Sequence, residues 1–146
     1  MMNDKTTILV VDDNEDLLET FAIILKRRGY EVQTACDGSR AVDKFKEQNF
    51  DITLMDIVMP EMNGVDAFKK IKEIQPDASI ILMTAYSDEN LIQSAMDEGV
   101  TLIIQKPIHI DKLIKLIDEK AGGEPILVVD DSTIYQTLQS SNVVRK

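Results

Sequence analysis

The sequence predicts an α/β fold in which a five-stranded parallel, doubly wound sheet of order 2-1-3-4-5 is covered by helices on both faces. Short apolar runs alternate five times with longer segments whose apolar residues recur at helical spacing. The connecting loops are short, which favours right-handed crossovers between parallel strands. The third run, from Ile52 to Met55, contains no charged residue, as expected for a strand that is buried on both faces.

The elements follow one another as five strand–helix units. The predicted strands are Ile8–Val11, Tyr30–Ala35, Asp51–Met55, Ser79–Met83 and Thr101–Ile104. Helices with an apolar stripe follow each strand and end near Gly29, Gln48, Pro76, Gly99 and Gly122. Asn14 and Ser87 are the predicted N-caps of the first and fourth helices, and Asp37-Gly38 is predicted to be a turn.

Length and charge limit the classes of function. The chain has 146 residues, 44% of them hydrophobic, which suits one compact domain with a single core. Its formal net charge is −10, which disfavours nucleic acid as a direct partner and favours a cation or a basic protein surface.

Cysteine usage and hydropathy indicate the cellular compartment. Cys36 is the only cysteine, so that an internal disulfide is excluded and a reducing cytoplasm is expected. The N-terminus has no apolar segment of signal-peptide length, and no run reaches the roughly 20 apolar residues of a membrane helix. A cytoplasmic protein without a membrane partner is therefore expected.

Five polar side chains end the predicted strands. Asp12 and Asp13 follow strand one, Asp56 ends strand three, and Thr84 and Lys106 end strands four and five. Strands one and three are neighbours where the strand order reverses, which is where open α/β sheets bind ligands. Carboxylates this close repel one another unless a cation lies among them, and oxygen ligands suit Mg²⁺ or Mn²⁺. The sequence therefore predicts a divalent-metal site.

These residues lie in motifs that resemble a known family. The paired acids Asp12-Asp13, the segment MDIVMPEMNG around Asp56, MTAY around Thr84 and the pair Lys106-Pro107 resemble the receiver domain of bacterial two-component response regulators. The resemblance covers residues 6–120 and implies a flavodoxin-like (βα)5 fold. It also implies a signalling domain, not an enzyme with a separate substrate.

The resemblance implies specific roles for the site residues. Asp56 would accept a phosphoryl group from the phosphohistidine of a sensor kinase or a histidine phosphotransfer protein, and would later lose it by a reaction the domain itself catalyses. Asp12, Asp13 and Asp56 would hold Mg²⁺ together with the main-chain carbonyl of Val58. Lys106 would neutralise the oxygens of the phosphoryl group as a positive point charge.

A conformational switch is also implied. The hydroxyl of Thr84 would be drawn toward the phosphoryl group, and the space it leaves is often filled in the family by an aromatic residue where this chain has Ile103. Val58 and Tyr86 flank the acceptor as modulating residues without an evident group to orient water, and Pro107 resembles a cis-proline junction. The face formed by helix four, strand five and helix five is expected to change and to bind a downstream protein or a second copy.

The C-terminal tail repeats an earlier motif. ILVVDDS at 126–132 nearly repeats ILVVDDN at 8–14. We expect residues 1–121 to form the receiver domain, and residues 122–146 to be a linker and the truncated start of a second receiver-like repeat. The tail strand offers another route to a dimer, by adding to the edge of a sheet.

Alternative functions are disfavoured by single positions. A haloacid-dehalogenase-like phosphatase would need an acid two residues after the nucleophile, where this chain has Val58, and a cap insertion. A flavodoxin-like cofactor binder would need a glycine- and hydroxyl-rich loop in place of Asp12-Asp13-Asn14. A degenerate receiver without phosphorylation is disfavoured because each expected site residue is present.

Overall fold

A computed structural model describes residues 5–85, 89–100 and 102–121. It confirms a parallel sheet of order β2-β1-β3-β4-β5. The strands are β1 (Thr7–Val11), β2 (Glu31–Ala35), β3 (Ile52–Asp56), β4 (Ile80–Thr84) and β5 (Ile103–Gln105). The helices are α1 (Glu15–Arg27), α2 (Gly38–Glu47), α3 (Gly64–Ile74), α4 (Glu89–Asp97) and α5 (Ile110–Ala121). None of the helices within the described ranges combines the length and apolarity needed to cross a membrane.

Apolar side chains of the sheet alternate between two cores. One core lies between the sheet and α2, α3 and α4, and the other lies between the sheet and α1 and α5. The middle strands β3 and β4 are buried along their whole length. This explains why their sequences lack the polar alternation of a one-sided sheet.

The ends of several elements differ from the predicted ends by one or two residues. Asp56 and Thr84 are themselves the last residues of their strands, because the N–H of Ile57 donates to Met83 O (2.8 Å) and that of Lys106 to Thr84 O (2.7 Å). β5 begins at Ile103, and the predicted start Thr101 lies outside the described residues, as does the predicted cap Ser87.

The sequence predicted a turn at Asp37-Gly38, but in the structure these two residues form the start of α2. The Asp37 side chain accepts the N–H of Arg40 at 2.8 Å and thereby caps α2, and Gly38 is the first residue of that helix. The prediction was wrong because an Asp-Gly pair suits both a turn and a helix start.

Thr53 carries a polar atom without a partner in the middle of β3. Its side chain is completely buried beside Leu9 and Ile80, and its hydroxyl has no hydrogen-bond partner. A buried unpaired hydroxyl is destabilising. We expect Thr53→Val, which keeps the shape, to raise the free energy of unfolding by about 1 kcal/mol and the melting temperature by about 3–6 °C.

Thr7→Val is the matched control for this substitution. Thr7 is also in a strand, but its hydroxyl is bonded to the Asp51 carboxylate at 3.1 Å. Its loss should leave the melting temperature unchanged or lower it, as calorimetry or circular dichroism would show. A fall in the melting temperature of Thr53→Val by about 3–6 °C, in place of the expected rise, would mean that the Thr53 hydroxyl has a hydrogen-bond partner in solution.

Tyr30 connects the start of β2 to α5. Its hydroxyl donates to the Asp118 carboxylate, which also pairs with the guanidinium of Arg28. Burial, followed by the hydrogen bond and the negative charge of Asp118, raises the pKa of Tyr30 to about 12. The folded protein therefore favours the neutral phenol.

This shift makes a prediction at alkaline pH. Because the pKa of Tyr30 is raised, its contribution to the free energy of unfolding is fully present below pH 10 and is lost as pH rises from about 10 to about 12. In that range the Tyr30 phenol ionises in the unfolded chain but not in the folded one. An absorbance titration of the three tyrosines should show one late phenolate that is absent from Tyr30→Phe. A tyrosinate curve with an unchanged late phase in Tyr30→Phe would assign that phase to another tyrosine.

Candidate functional site

Three carboxylates meet at the carboxyl ends of β1 and β3. Asp12 and Asp13 follow β1, and Asp56 ends β3, its neighbour in the sheet. One oxygen from each carboxylate lies within 4.8 Å of the others. Asp12 and Asp56 are buried, with 1% and 7% of their surface exposed, whereas Asp13 faces solvent. The structure thus brings together the three acids that the sequence predicted to converge.

Backbone contacts fix Asp12 in the site. Its Oδ1 accepts the N–H of Asn14 at 2.9 Å, and its own N–H donates to the carbonyl of Ala35 at 3.2 Å. The Asn14 side chain in turn accepts the N–H of Leu17 and caps α1, as predicted. The start of α1 and the end of β2 therefore both hold the first acid in position.

Lys106 links two of the carboxylates. Its Nζ lies 2.9 Å from Oδ2 of Asp12 and 3.1 Å from Oδ2 of Asp56. Burial lowers the pKa of the ammonium, but the hydrogen bonds and charges of the two acids outweigh burial, so that its pKa lies above the usual value. Lys106 is therefore a fixed positive charge at the site.

The Asp56 carboxylate is oriented on both of its oxygens. Oδ2 faces Lys106, and Oδ1 accepts the N–H of Val58 at 3.2 Å. Burial raises the pKa of Asp56, and the attraction of Lys106 offsets only part of this rise. The carboxylate is held in one direction in a place where its charge is poorly solvated, which suits a group that gains by acquiring a covalent partner or a nearby cation.

The loop after β3 is folded tightly beneath this carboxylate. The N–H of Gly64 donates to the carbonyl of Ile57 at 2.7 Å, and the N–H of Met62 to that of Pro60 at 2.7 Å. Glu61 adopts a positive φ of 68°. A Cβ on Gly64 would lie 2.4 Å from the carbonyl oxygen of Asp56, so that only glycine fits there. In the sequence, Gly64 is only the last residue of the motif MDIVMPEMNG around Asp56, and nothing there indicates this contact.

The remaining predicted residues lie at the neighbouring strand ends. Thr84, buried with 2% of its surface exposed, ends β4, and Ile103 is completely buried at the start of β5 on the side of α4. The peptide bond between Lys106 and Pro107 is cis. Val58 exposes 38% of its surface beside Asp56. Tyr86 lies outside the described residues.

The residues present fit a divalent cation. The donor set consists only of carboxylate oxygens, which hard cations such as Mg²⁺ prefer. When all are ionised, three carboxylates face one ammonium, which leaves an excess of negative charge in a partly buried space. A cation would relieve that excess, because the repulsion between carboxylates at this distance is large where water is limited.

Comparison with known proteins gives one consistent family. The family model described as the response regulator receiver domain matches residues 8–118. Chemotaxis protein CheY of Thermotoga maritima is 37% identical over 113 residues, which are 77% of this chain and 94% of that protein.

Solved structures agree with this comparison. A CheY-like response regulator receiver domain protein from Methanospirillum hungatei superposes with a TM-score of 0.78 at 28% identity, over 82% of this chain and 96% of that chain. The response regulator TrrA from Thermotoga maritima, solved in complex with Mg²⁺-BeF, has a TM-score of 0.69 at 33% identity, over 79% of this chain and 98% of that chain.

Proposed function

The chain belongs to the response regulator receiver domain family, and we propose that it is a phosphorylation-activated switch of two-component signalling in which Asp56 accepts the phosphoryl group. One observation carries the assignment of this residue. Asp56 is the more exposed of the two carboxylates that Lys106 contacts, and Lys106 and the Val58 N–H hold it from two sides at the edge of the sheet where Asp12 and Asp13 also converge.

The chemistry is the transfer of a phosphoryl group to a carboxylate oxygen. The P–N bond of a phosphohistidine breaks, a P–O bond to Asp56 forms, and the imidazole leaves with the electron pair of the broken bond and takes up a proton. The main work of the protein in such transfers is positioning and neutralisation of charge. Lys106 lies within 3.1 Å of the acceptor and provides a positive charge for the oxygens of the incoming group.

Asp12, Asp13 and Asp56 would hold Mg²⁺, with the main-chain carbonyl of Val58 as a further ligand, and Mn²⁺ has the same ligand preference. The ion supplies neutralisation of the phosphoryl oxygens when bound. The fit of the three carboxylates supports this proposal, and so does the Mg²⁺-BeF complex of the relative TrrA.

Thr84 and Lys106 connect the site to the output face. Thr84 is buried at the end of β4, and Lys106 donates its backbone N–H to the Thr84 carbonyl at 2.7 Å. A phosphoryl group that draws in the Thr84 hydroxyl would change the packing next to Ile103, and with it the face of α4, β5 and α5. That face would bind a downstream protein or a second copy. Tyr86 is proposed as a modulating residue that flanks the acceptor.

The phosphoryl donor is proposed to be a sensor histidine kinase or a histidine phosphotransfer protein in the cytoplasm. Loss of the group by hydrolysis at Asp56 is proposed to be catalysed by the domain itself. Val58, two residues after the acceptor, has an apolar side chain that is 38% exposed and offers water no hydrogen bond. We therefore expect the phosphorylated state to be long-lived for such a domain.

The boundary of the domain is proposed at residue 121, with residues 122–146 as a linker and the start of a second receiver-like repeat that could pair with a sheet edge. The family model matches residues 8–118, which supports a boundary soon after that match. The near identity of 126–132 with 8–14 supports the repeat. Residues 122–146 themselves lie outside the described residues.

Intact mass spectrometry tests the proposed function. Incubation with acetyl phosphate or phosphoramidate and Mg²⁺ should add one phosphoryl group. Removal of the ion with EDTA should slow labelling by about 100-fold, because several kcal/mol of charge neutralisation in the transition state is lost. Mn²⁺ should restore the labelling. Labelling at the same rate in EDTA would contradict the role of the acidic cluster.

A further inference from the structure

Gly38 places the start of α2 in direct contact with the loop that follows Asp56. It is the first residue of the helix, and it is buried. A Cβ built on it would lie 2.9 Å from the carbonyl oxygen of Met62, 3.3 Å from the Met62 Cβ and 3.2 Å from the Cβ of Ala67. The missing side chain is therefore what allows the helix and the loop to approach this closely.

Neither side of this contact moves easily. On the loop side, Gly64 abuts the Asp56 carbonyl, and the hydrogen bond from Met62 to Pro60 closes a tight turn. On the helix side, the Asp37 side chain caps α2. A shift forced at Met62 is therefore passed along the loop, which is short and contains Val58, the residue whose N–H orients Asp56.

The helix side is also connected to the acid pair. The strand before α2 ends at Ala35, whose carbonyl accepts the N–H of Asp12. Gly38 thus lies between the part of the site that carries Asp12 and Asp13 and the loop that carries Val58.

We propose that Gly38 is a positioning residue for the site: by allowing α2 to abut Met62, it sets the place of the loop after Asp56 and thereby the affinity for Mg²⁺. The inference rests on the proposed function, and it assigns a role to a residue outside the acidic cluster. Residues that orient metal ligands from outside the coordination shell typically change affinity by 10–100-fold when they are altered.

The test is the Mg²⁺ dissociation constant of Gly38→Ala, measured by isothermal titration calorimetry without a phosphoryl donor. The added methyl group must displace the backbone of Met62, and we expect binding to weaken by about 10-fold. Amide chemical shifts should change at Val58 and Met62. Gly99→Ala is the matched control, because Gly99 has a φ of +96° and no atom within 4 Å of a built Cβ. This control loses stability through backbone strain, but its Mg²⁺ affinity should stay that of the wild type.

Ala67→Gly provides the rescue. In Gly38→Ala/Ala67→Gly, the added methyl group gains the space that the Ala67 methyl vacates but still meets the Met62 carbonyl oxygen, so that Mg²⁺ affinity should return only in part to that of Ala67→Gly. If Gly38→Ala alone does not fold, this double variant carries the test and should bind more weakly than Ala67→Gly by a measurable factor.

Two results would overturn the inference. One is a Gly38→Ala variant with wild-type Mg²⁺ affinity and a lowered melting temperature, which would make the contact a matter of packing alone. The other applies if Gly38→Ala alone is unfolded: it is a double variant whose Mg²⁺ affinity equals that of Ala67→Gly. Failure of the proposed function is a separate result, because it would appear as wild-type protein that takes no phosphoryl group at Asp56.

Discussion

Asp56→Asn should abolish phosphoryl labelling by acetyl phosphate and Mg²⁺. The amide oxygen is a much weaker nucleophile than the carboxylate. Asp12 is also held by Lys106 and a backbone N–H, but it is more deeply buried than Asp56, with 1% of its surface exposed against 7%. The variant should remain folded, because it removes a charge that burial and the nearby Asp12 carboxylate disfavour. Its melting temperature should equal or exceed that of the wild type.

Asp66→Asn is the control for this experiment. Asp66 lies on the first turn of α3, a short distance along the chain, but its side chain faces solvent outside the acidic cluster. The Asp66→Asn variant should be labelled at Asp56 at the wild-type rate. If Asp56→Asn kept one phosphoryl group per chain, peptide mapping would identify a different acceptor, and the assignment of Asp56 would be wrong.

The fold and the cluster were predictable because they depend on patterns that the sequence carries locally. Uncharged runs such as Ile52 to Met55 indicate strands with two covered faces, and the helical stripes between them require crossovers of one hand. These two patterns lead to the sheet order 2-1-3-4-5, in which the carboxyl ends of β1 and β3 are adjacent. The contact of Lys106 with Asp12, 94 positions apart, is then a consequence of topology.

Contacts that depend on the distance between packed backbones could not be predicted in this way. Gly38 was predicted only as part of a turn and Gly64 appeared only as the last residue of a motif, because a glycine in the sequence does not show whether it is needed for its φ angle or for space. In the structure both serve close approach, whereas Gly29 and Gly99 have positive φ and empty surroundings. Only the tertiary structure separates the two cases.

The hydrogen bond between Tyr30 and Asp118 could not be predicted from the sequence for a related reason. The two residues are 88 positions apart, and each looks like an ordinary surface residue in its own element. Thr53 shows the converse, because an apolar run was predicted correctly as a buried strand without any sign that its one hydroxyl would lack a partner. Pattern predicts which face is buried, but hydrogen-bond partners depend on the side chains that pack against it.

Gly64→Ala should cause the largest loss of stability among single-methyl additions at the described glycines. Its Cβ would lie 2.4 Å from the carbonyl oxygen of Asp56 and 2.8 Å from the Cα of Ile57. Both neighbours are backbone atoms at the end of a central strand, so that neither can rotate away. We expect a loss of about 3 kcal/mol in the free energy of unfolding and a fall in melting temperature of about 10 °C or more.

Gly29→Ala separates this overlap from backbone strain. Gly29 has a φ of +96° with no atom within 4 Å of a built Cβ, so that alanine there should cost about 1 kcal/mol through conformation alone. Labelling of Asp56 should slow in Gly64→Ala and stay unchanged in Gly29→Ala, since only the first substitution displaces the strand end that carries the acceptor. Urea denaturation of both variants, with labelling rates measured well below their melting temperatures, checks both effects. Equal losses of stability in the two variants would show that the loop after β3 relaxes around the new methyl group, and that the close contact of Gly64 does not fix Asp56.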